Sequence, residues 1–324
     1  MRAPIPLALG LVCCLLAPLL DGCGGRRKKT IGVVPKGTSH LFWLSVEAGA
    51  MAAGREFGVE ILWNGPAQET EYSRQIQIVD SMIARRVDGL AVAAAERKAL
   101  VQSIDRAMDA GIPVTIFDSG LDSTNYTTFV ATDNYAAGQM AARALAKMLE
   151  GRGQVAVVMH VPGSFSTMDR EKGFEDSMEK EFPLVRIVAR QFGLSDRAKA
   201  MAAAENILTA HPDLDGLFAS TEPSSAGAAL ALKARGLSGK IKFVAFDSND
   251  AMIEDLKSGT IHAMVVQDPF RIGYEAVRTL VDKLNGRTPP KRLDLSAVVV
   301  TREELDKPEV RAVLFPDPSK SLNR

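Results

Sequence analysis

From residue 30 onward, short apolar runs alternate with amphipathic stretches, and the first of these units sets the pattern. Ile31 to Val34 is an unbroken apolar run, short enough for a strand buried on both faces. A polar loop, Pro35 to His40, follows it and leads into the bulky pair Phe42 and Trp43. Leu44, Ala48 and Met51 then recur at i, i+4 and i+7, as one face of a helix. Gly58 stops that helix and Val59 to Trp63 begins a second strand, giving a βαβ unit. Its two large aromatics lie near the carboxyl end of the first strand, where open parallel sheets hold ligands.

The alternation continues. Glu69 to Ala84 reads as a helix, Gly89 to Ala93 as a strand, Arg97 to Ala110 as a helix and Ile112 to Phe117 as a strand that ends in the turn Asp118-Ser119-Gly120. Phe129 to Ala131 is the next strand. The second half repeats the scheme, with helices at 134–149, around Phe174 to Phe182, and at 196–210, 224–235, 251–257 and 270–284. Its strands are expected at 154–160, 185–191, 216–219, 242–246, 261–266 and 298–300. Repeated βα units predict an α/β fold with parallel sheet and helices on both faces. Two doubly wound domains and one barrel are both compatible with about ten such strands. Three polar interruptions, Thr132-Asp133, Gln267-Asp268-Pro269 and Leu293-Asp294, suit a chain that crosses three times between two domains.

Residues 1–23 have a different character: Arg2, an apolar run from Ile5 to Leu20, then Asp21-Gly22-Cys23. This pattern reads as a signal peptide ending in a lipobox, with Cys23 as the lipid anchor and 24–29 as a tether. The alternative is an uncleaved anchor with Arg26, Arg27, Lys28 and Lys29 facing the cytoplasm. In the lipid-anchored reading the basic run would hold the tether near anionic headgroups. Cys13, Cys14 and Cys23 are the three cysteines, so a mature domain has no disulfide and no thiol nucleophile. Lys+Arg and Asp+Glu are equal at 39 each, which gives no electrostatic pointer to nucleic acid. His40, His160, His211 and His262 lack metal-ligand spacing, and each is expected to be structural or incidental.

Seven segments in order carry a resemblance: TIGVV…FWLSVEAGA, GIPVTIFDSG, ATDNYAAGQMAARAL, DREKGFEDSM, ILTAHPDLDGLFAS, KFVAFDSND and VVQDPFRIGYEAV. The chain resembles the ribose-type periplasmic sugar-binding proteins of ABC importers, of the periplasmic binding protein type 1 fold. That fold also forms the effector domain of lac-repressor-type regulators, but here no helix-turn-helix precedes residue 30. The resemblance implies two doubly wound α/β lobes joined by a three-segment hinge that closes over a sugar. The N-terminal lobe would be 30–132 with 268–294, the C-terminal lobe 133–267 with 295–311, and 312–324 a tail. It further implies a periplasmic monomer that needs no cofactor or metal and delivers to an inner-membrane ABC permease and ATPase complex.

The same resemblance assigns site residues. Asp118 would accept from sugar hydroxyls, against a plain turn-forming role before Ser-Gly. Arg170 would donate its fork to a hydroxyl pair, against a solvated helix position. Phe42 and Trp43 would pack on the C–H face of a sugar ring, against ordinary core packing. Phe246, Asp247 and Gln267 match the remaining stacking and polar positions. Ribose binders carry Asn at His40 and Ala93, Arg at Ser119, Asn at Thr221 and an aromatic at Ser195. These departures count against ribose and suggest a larger site lined by Trp43, His40, Ser119, Ser195, Thr221 and Glu222 for a hexose, a cyclitol or a modified sugar.

Three functions compete: delivery of a sugar to a permease, reporting of a sugar to a sensor kinase or chemoreceptor, and catalysis. No GxSxG, P-loop or GxGxxG motif is present, so an enzyme is not expected.

Overall fold

The apolar run after Lys29 forms β1 (Thr30–Val34), flanked on both sides by parallel partners and covered on both faces. A computed structural model describes Met1 and residues 27–315 of the chain. Calls on the signal segment, on Cys13, Cys14 and the anchor Cys23, on residues 24–26 of the tether and on 316–324 of the tail lie outside the described residues.

After β1 come α1 (Leu41–Phe57), β2 (Glu60–Trp63), α2 (Tyr72–Ala84), β3 (Gly89–Val92), α3 (Val101–Asp109), β4 (Val114–Phe117) and β5 (Thr128–Thr132). The middle of the chain forms α4 (Asn134–Met148), β6 (Arg152–Met159), α5 (Phe165–Glu181), β7 (Leu184–Phe192), α6 (Arg197–Ala210), β8 (Gly216–Ala219), α7 (Glu222–Ala234), β9 (Lys242–Phe246), α8 (Asp250–Ser258) and β10 (Ala263–Val266). The last part gives α9 (Pro269–Leu284), β11 (Arg292–Leu295), β12 (Val298–Val300) and α10 (Pro308–Leu314).

These strands form two 6-stranded sheets, ordered β11-β5-β4-β3-β1-β2 and β12-β10-β9-β8-β6-β7, parallel except for the antiparallel pair β10–β12. Each sheet is covered on both faces by apolar clusters and defines a lobe, here called the N lobe and the C lobe. This is two doubly wound α/β domains, not one barrel. The chain passes between the lobes from β5 to α4, from β10 to α9, and from β11 to β12. Asp133 and Asp268 cap the helices that open the first two passages, accepting from Ala136 N–H at 3.0 Å and Arg271 N–H at 2.9 Å.

Closely packed helix pairs hold the elements that reach the lobe boundary. In the C lobe a Cβ on Gly138 of α4 would stand 1.9 Å from the Arg170 carbonyl oxygen of α5, and one on Gly173 of α5 2.1 Å from that of Tyr135. Side chains would force these backbones apart. In the N lobe, Gly49 of α1 and Gly273 of α9 make the same reciprocal contact.

Sequence and structure part company at a few boundaries. Residues 292–295 form an edge strand beside β5, where only a polar interruption was expected. Leu295 is buried while Arg292 and Asp294 are exposed, the two-residue alternation of a strand with one covered face. The helix expected from Glu69 starts at Tyr72, which leaves Glu69 in the preceding turn, and that expected from Arg97 starts at Val101. The short α10 was not foreseen.

Candidate functional site

All parallel strands in a lobe point the same way, so their carboxyl ends gather at one edge of each sheet, and the two edges face each other. Between them lies a cavity with about 360 Å³ of free space, part of it open to solvent. The N lobe lines it with Lys36, His40, Phe42, Trp43, Glu69 and Asp118. The C lobe adds His160, Ser166, Thr167, Arg170, Thr221, Glu222, Pro223, Asp247 and Gln267.

Asp118 follows β4 and Asp247 follows β9, each at positive φ (55° and 63°), which a non-glycine residue adopts only when its surroundings hold it there. Asp118 Oδ2 is 3.3 Å from Lys36 Nζ but off the line of a hydrogen bond, and it has no hydrogen-bond partner among the described residues. Gln267 donates from Nε2 to Asp247 Oδ1 at 2.8 Å, and its own Oε1 is likewise unpartnered there. A buried acceptor without a donor costs about 1–3 kcal/mol. Both atoms are open to a donor from outside the protein, Asp118 Oδ2 beside the Lys36 charge.

Arg170 is held from behind. Its Nε and Nη2 donate to Asn134 Oδ1 at 3.1 and 2.7 Å, its Nη1 donates to the Ser220 carbonyl, and the guanidinium lies 3.5 Å above the Phe246 ring. A guanidinium has five N–H groups. Three are used, leaving two N–H groups without a protein partner among the described residues.

Trp43 is buried and donates from Nε1 to Glu69 Oε1 at 2.9 Å, with its ring edge-on to Phe42 and Phe117. Glu69 Oε2 accepts from His160 Nε2 across the lobe boundary at 3.0 Å, and Lys36 Nζ is 3.7 Å from the same oxygen. Burial opposes the charge on Glu69, but Lys36, His160 and His40 outweigh it and hold the carboxyl well below the usual range. Burial lowers the His160 pKa despite Glu69. The pair is thus a carboxylate and a neutral imidazole that donates from Nε2. Asp247 is pushed up to about 6 by burial, with Arg170 and Gln267 opposing. Behind the wall, burial raises Glu171 to about 7 although it accepts from His160 N–H and Ser220 Oγ.

Of the residues singled out from sequence, His40, Phe42, Trp43, Asp118, Arg170, Thr221, Asp247 and Gln267 line this one cavity, as does Glu222. Ser119 does not line it: its hydroxyl is buried and accepts from Ser166 N–H. Phe246 lies beneath Arg170, outside the lining, and Ser195 Oγ bonds His40 Nε2 at 3.1 Å. Sequence reasoning missed Lys36, Glu69, Ser166 and Thr167, and expected His160 to be structural or incidental. Lys36 sits in the very loop that follows β1, and its position there was the available clue.

Residues 31–288 match the sequence profile of the periplasmic binding protein domain. Among known proteins, the D-ribose/D-allose-binding protein of Pseudomonas aeruginosa is 33% identical over 286 residues, 86% of this chain and 88% of that protein. The ribose import binding protein of Bacillus subtilis is 28% identical over 281 residues, 86% of this chain and 90% of that protein. Similar solved structures include an ABC transporter solute binding protein from Agrobacterium vitis with bound D-fucose, at TM-score 0.85 and 35% identity, covering 88% of this chain and 100% of that one. Another is a carbohydrate transporter solute binding protein from Agrobacterium radiobacter in complex with D-arabinose, at TM-score 0.87 and 31% identity, covering 89% and 99%.

Proposed function

We propose that this chain, which belongs to the periplasmic binding protein family, binds a small sugar or sugar-like polyol between its lobes and delivers it to an ABC permease. The observation that carries the reading is Asp118 Oδ2: a buried carboxylate oxygen in the cavity wall that has the Lys36 ammonium 3.3 Å away but no aligned hydrogen-bond donor among the described residues. A ligand hydroxyl supplies that donor, and Arg170 offers N–H groups in return. Named sugars on the relatives, D-ribose, D-allose, D-arabinose and D-fucose, fix the first compounds to try. Four carboxylates, Glu69, Asp118, Glu222 and Asp247, against the cations Lys36 and Arg170 favour a neutral ligand over a uronate or a sugar phosphate.

In this reading the three passages between the lobes act as the hinge, and closure wraps the ligand. Cys23 anchors the mature chain in the cell envelope by a lipid, with the binding lobes in the periplasm. The protein works as a monomer, needs no cofactor and catalyses no reaction. The test is a thermal-shift screen of the four sugars together with hexoses, sugar alcohols and inositols. A ligand at a thousandfold excess over Kd stabilises the folded state by about 4 kcal/mol. A marked rise in Tm with one or two compounds supports the reading, and a flat response from folded protein removes it.

A further inference from the structure

At one side of the cavity, the lobes also grip each other through a turn. Residues 163–166, where β6 hands over to α5, reach from the C lobe into a notch of the N lobe. Arg97 N–H donates to the Gly163 carbonyl at 3.0 Å, and Ser166 N–H donates to Ser119 Oγ at 3.3 Å. Lys36 Nζ donates to Ser164 Oγ at 3.4 Å and Ser166 Oγ at 3.3 Å. At the centre is the Phe165 ring. It lies edge-on to Phe129 at 6.2 Å, has the Arg97 guanidinium 5.7 Å from its centroid, and occupies the space beside Gly120, where a Cβ would come within 3.1 Å of it.

Each of these ring contacts belongs to the N lobe, while Phe165 belongs to the C lobe. Separation of the lobes therefore takes the ring out of its seat and into water, which is unfavourable. Phe165 is not part of the cavity lining, but Thr167 and Arg170 on the same helix are. Seating of the ring and placement of the guanidinium are thus one movement.

We propose that this turn is a latch for the closed arrangement of the lobes, with Phe165 a positioning residue that sets ligand affinity without touching ligand. The proposal rests on the reading that the lobes close over a ligand. Apparent affinity scales with the fraction of molecules in the binding-competent state. Phe165→Ala then weakens binding on the order of tenfold, by the same factor for every ligand. Gly120→Ala acts from the opposite side of the contact. Gly120 is not at positive φ, so the added methyl meets the ring and not a backbone penalty. In a Phe165→Ala background the seat is empty and Gly120→Ala has little further effect.

The experiment is pulsed dipolar EPR on the full chain in detergent, carrying Cys13→Ser, Cys14→Ser and Cys23→Ser, with labels at Gln102→Cys and Lys240→Cys. Distances are recorded without sugar and with D-ribose, D-allose, D-arabinose or D-fucose, alongside titrations of each. The latch requires a closed population in the unsubstituted protein, a shift to longer separations in both Phe165→Ala and Gly120→Ala, and a non-additive pair. It is overturned by the absence of any closed population, by unchanged distances in either variant, or by a Gly120→Ala effect as large without the ring as with it. Should distances shift while none of the sugars binds, the latch stands and the sugar assignment falls.

Discussion

Asp118 and Asp247 occupy matching positions in the two lobes. Each follows a phenylalanine at the end of a central strand, each has positive φ, and each donates its N–H at 2.8 Å to a valine carbonyl on the next strand, Val130 or Val265. The two carboxylates thereby face one cavity from opposite sides. Their settings differ: Lys36 stands beside Asp118, whereas Asp247 meets Gln267 and the Arg170 charge.

Arg170 is gripped by Asn134, Ser220 and Phe246, so its fork is fixed before any ligand arrives. Arg170→Lys keeps the charge but cannot bridge Asn134 with two N–H groups. It should cost roughly 1–3 kcal/mol in urea unfolding. Ligand affinity should fall at least about tenfold by calorimetry.

Lys36 is the cation between Asp118 and Glu69. Lys36→Met leaves two carboxylates facing each other without it, with an expected loss of about 3–5 kcal/mol at neutral pH. Lys36 is the largest influence that lowers the Glu69 carboxyl, so without it Glu69 neutralises more readily and the deficit relative to the parent protein should be smaller in acid than at neutral pH. Denaturant melts at pH 7 and pH 4 give the comparison.

The raised groups Glu171 and Asp247 set a pH dependence of the opposite sense to ordinary acid unfolding. Folding lifts Glu171 from 4.5 to about 7 and Asp247 from 3.8 to about 6, so the folded state binds more protons than the unfolded chain between those values. Stability contributed there is present at low pH and lost as pH rises, by about 3 kcal/mol for Glu171. Glu69 behaves in reverse: its lowered pKa stabilises the fold above about 4.5 and is lost on further acidification. Tm should therefore rise from pH 7 to about pH 5 and then fall. Glu171→Gln should flatten the rise, as differential scanning calorimetry at the two pH values would show.

Gly138 allows α4 and α5 to touch, and its neighbour across the contact is the Arg170 carbonyl. Gly138→Ala should destabilise the C lobe by about 1–3 kcal/mol and displace Arg170 from the cavity. Weaker ligand binding in protein that remains folded is the expected outcome. Unaltered binding would mean that α5 shifts without carrying the guanidinium.

Much of the fold was legible because the chain writes it in period: apolar runs such as Ile31–Val34 and Val155–Val158 can only be strands inside parallel sheets, and Gly58, Gly111 and Gly259 end helices. The edge strand at 292–295 was harder, because only one of its faces is covered and its charges dominate the pattern. At the cavity, Asp118, Asp247 and Gln267 were legible through the family resemblance, and they stand at strand ends, where parallel sheets hold ligands. Glu69 and His160 were out of reach for a different reason. They lie 91 residues apart and acquire a role only when the lobes meet, and neither carries a local motif. Lys36 likewise draws its meaning from Ser164, Ser166 and Asp118, none of which is near it in sequence.

The central claim is that a sugar hydroxyl donates to Asp118 Oδ2, which has the Lys36 charge beside it but no aligned hydrogen-bond donor among the described residues. Isothermal titration of the parent protein and of Asp118→Asn with D-ribose, D-allose, D-arabinose and D-fucose tests it most directly. Asn tolerates positive φ and preserves the shape of the wall. Saturable binding of at least one sugar by the parent, weakened about ten- to hundredfold in a folded Asp118→Asn protein, is the predicted result. Folded parent protein that binds none of the sugars, or a variant that binds as tightly as the parent, would contradict it.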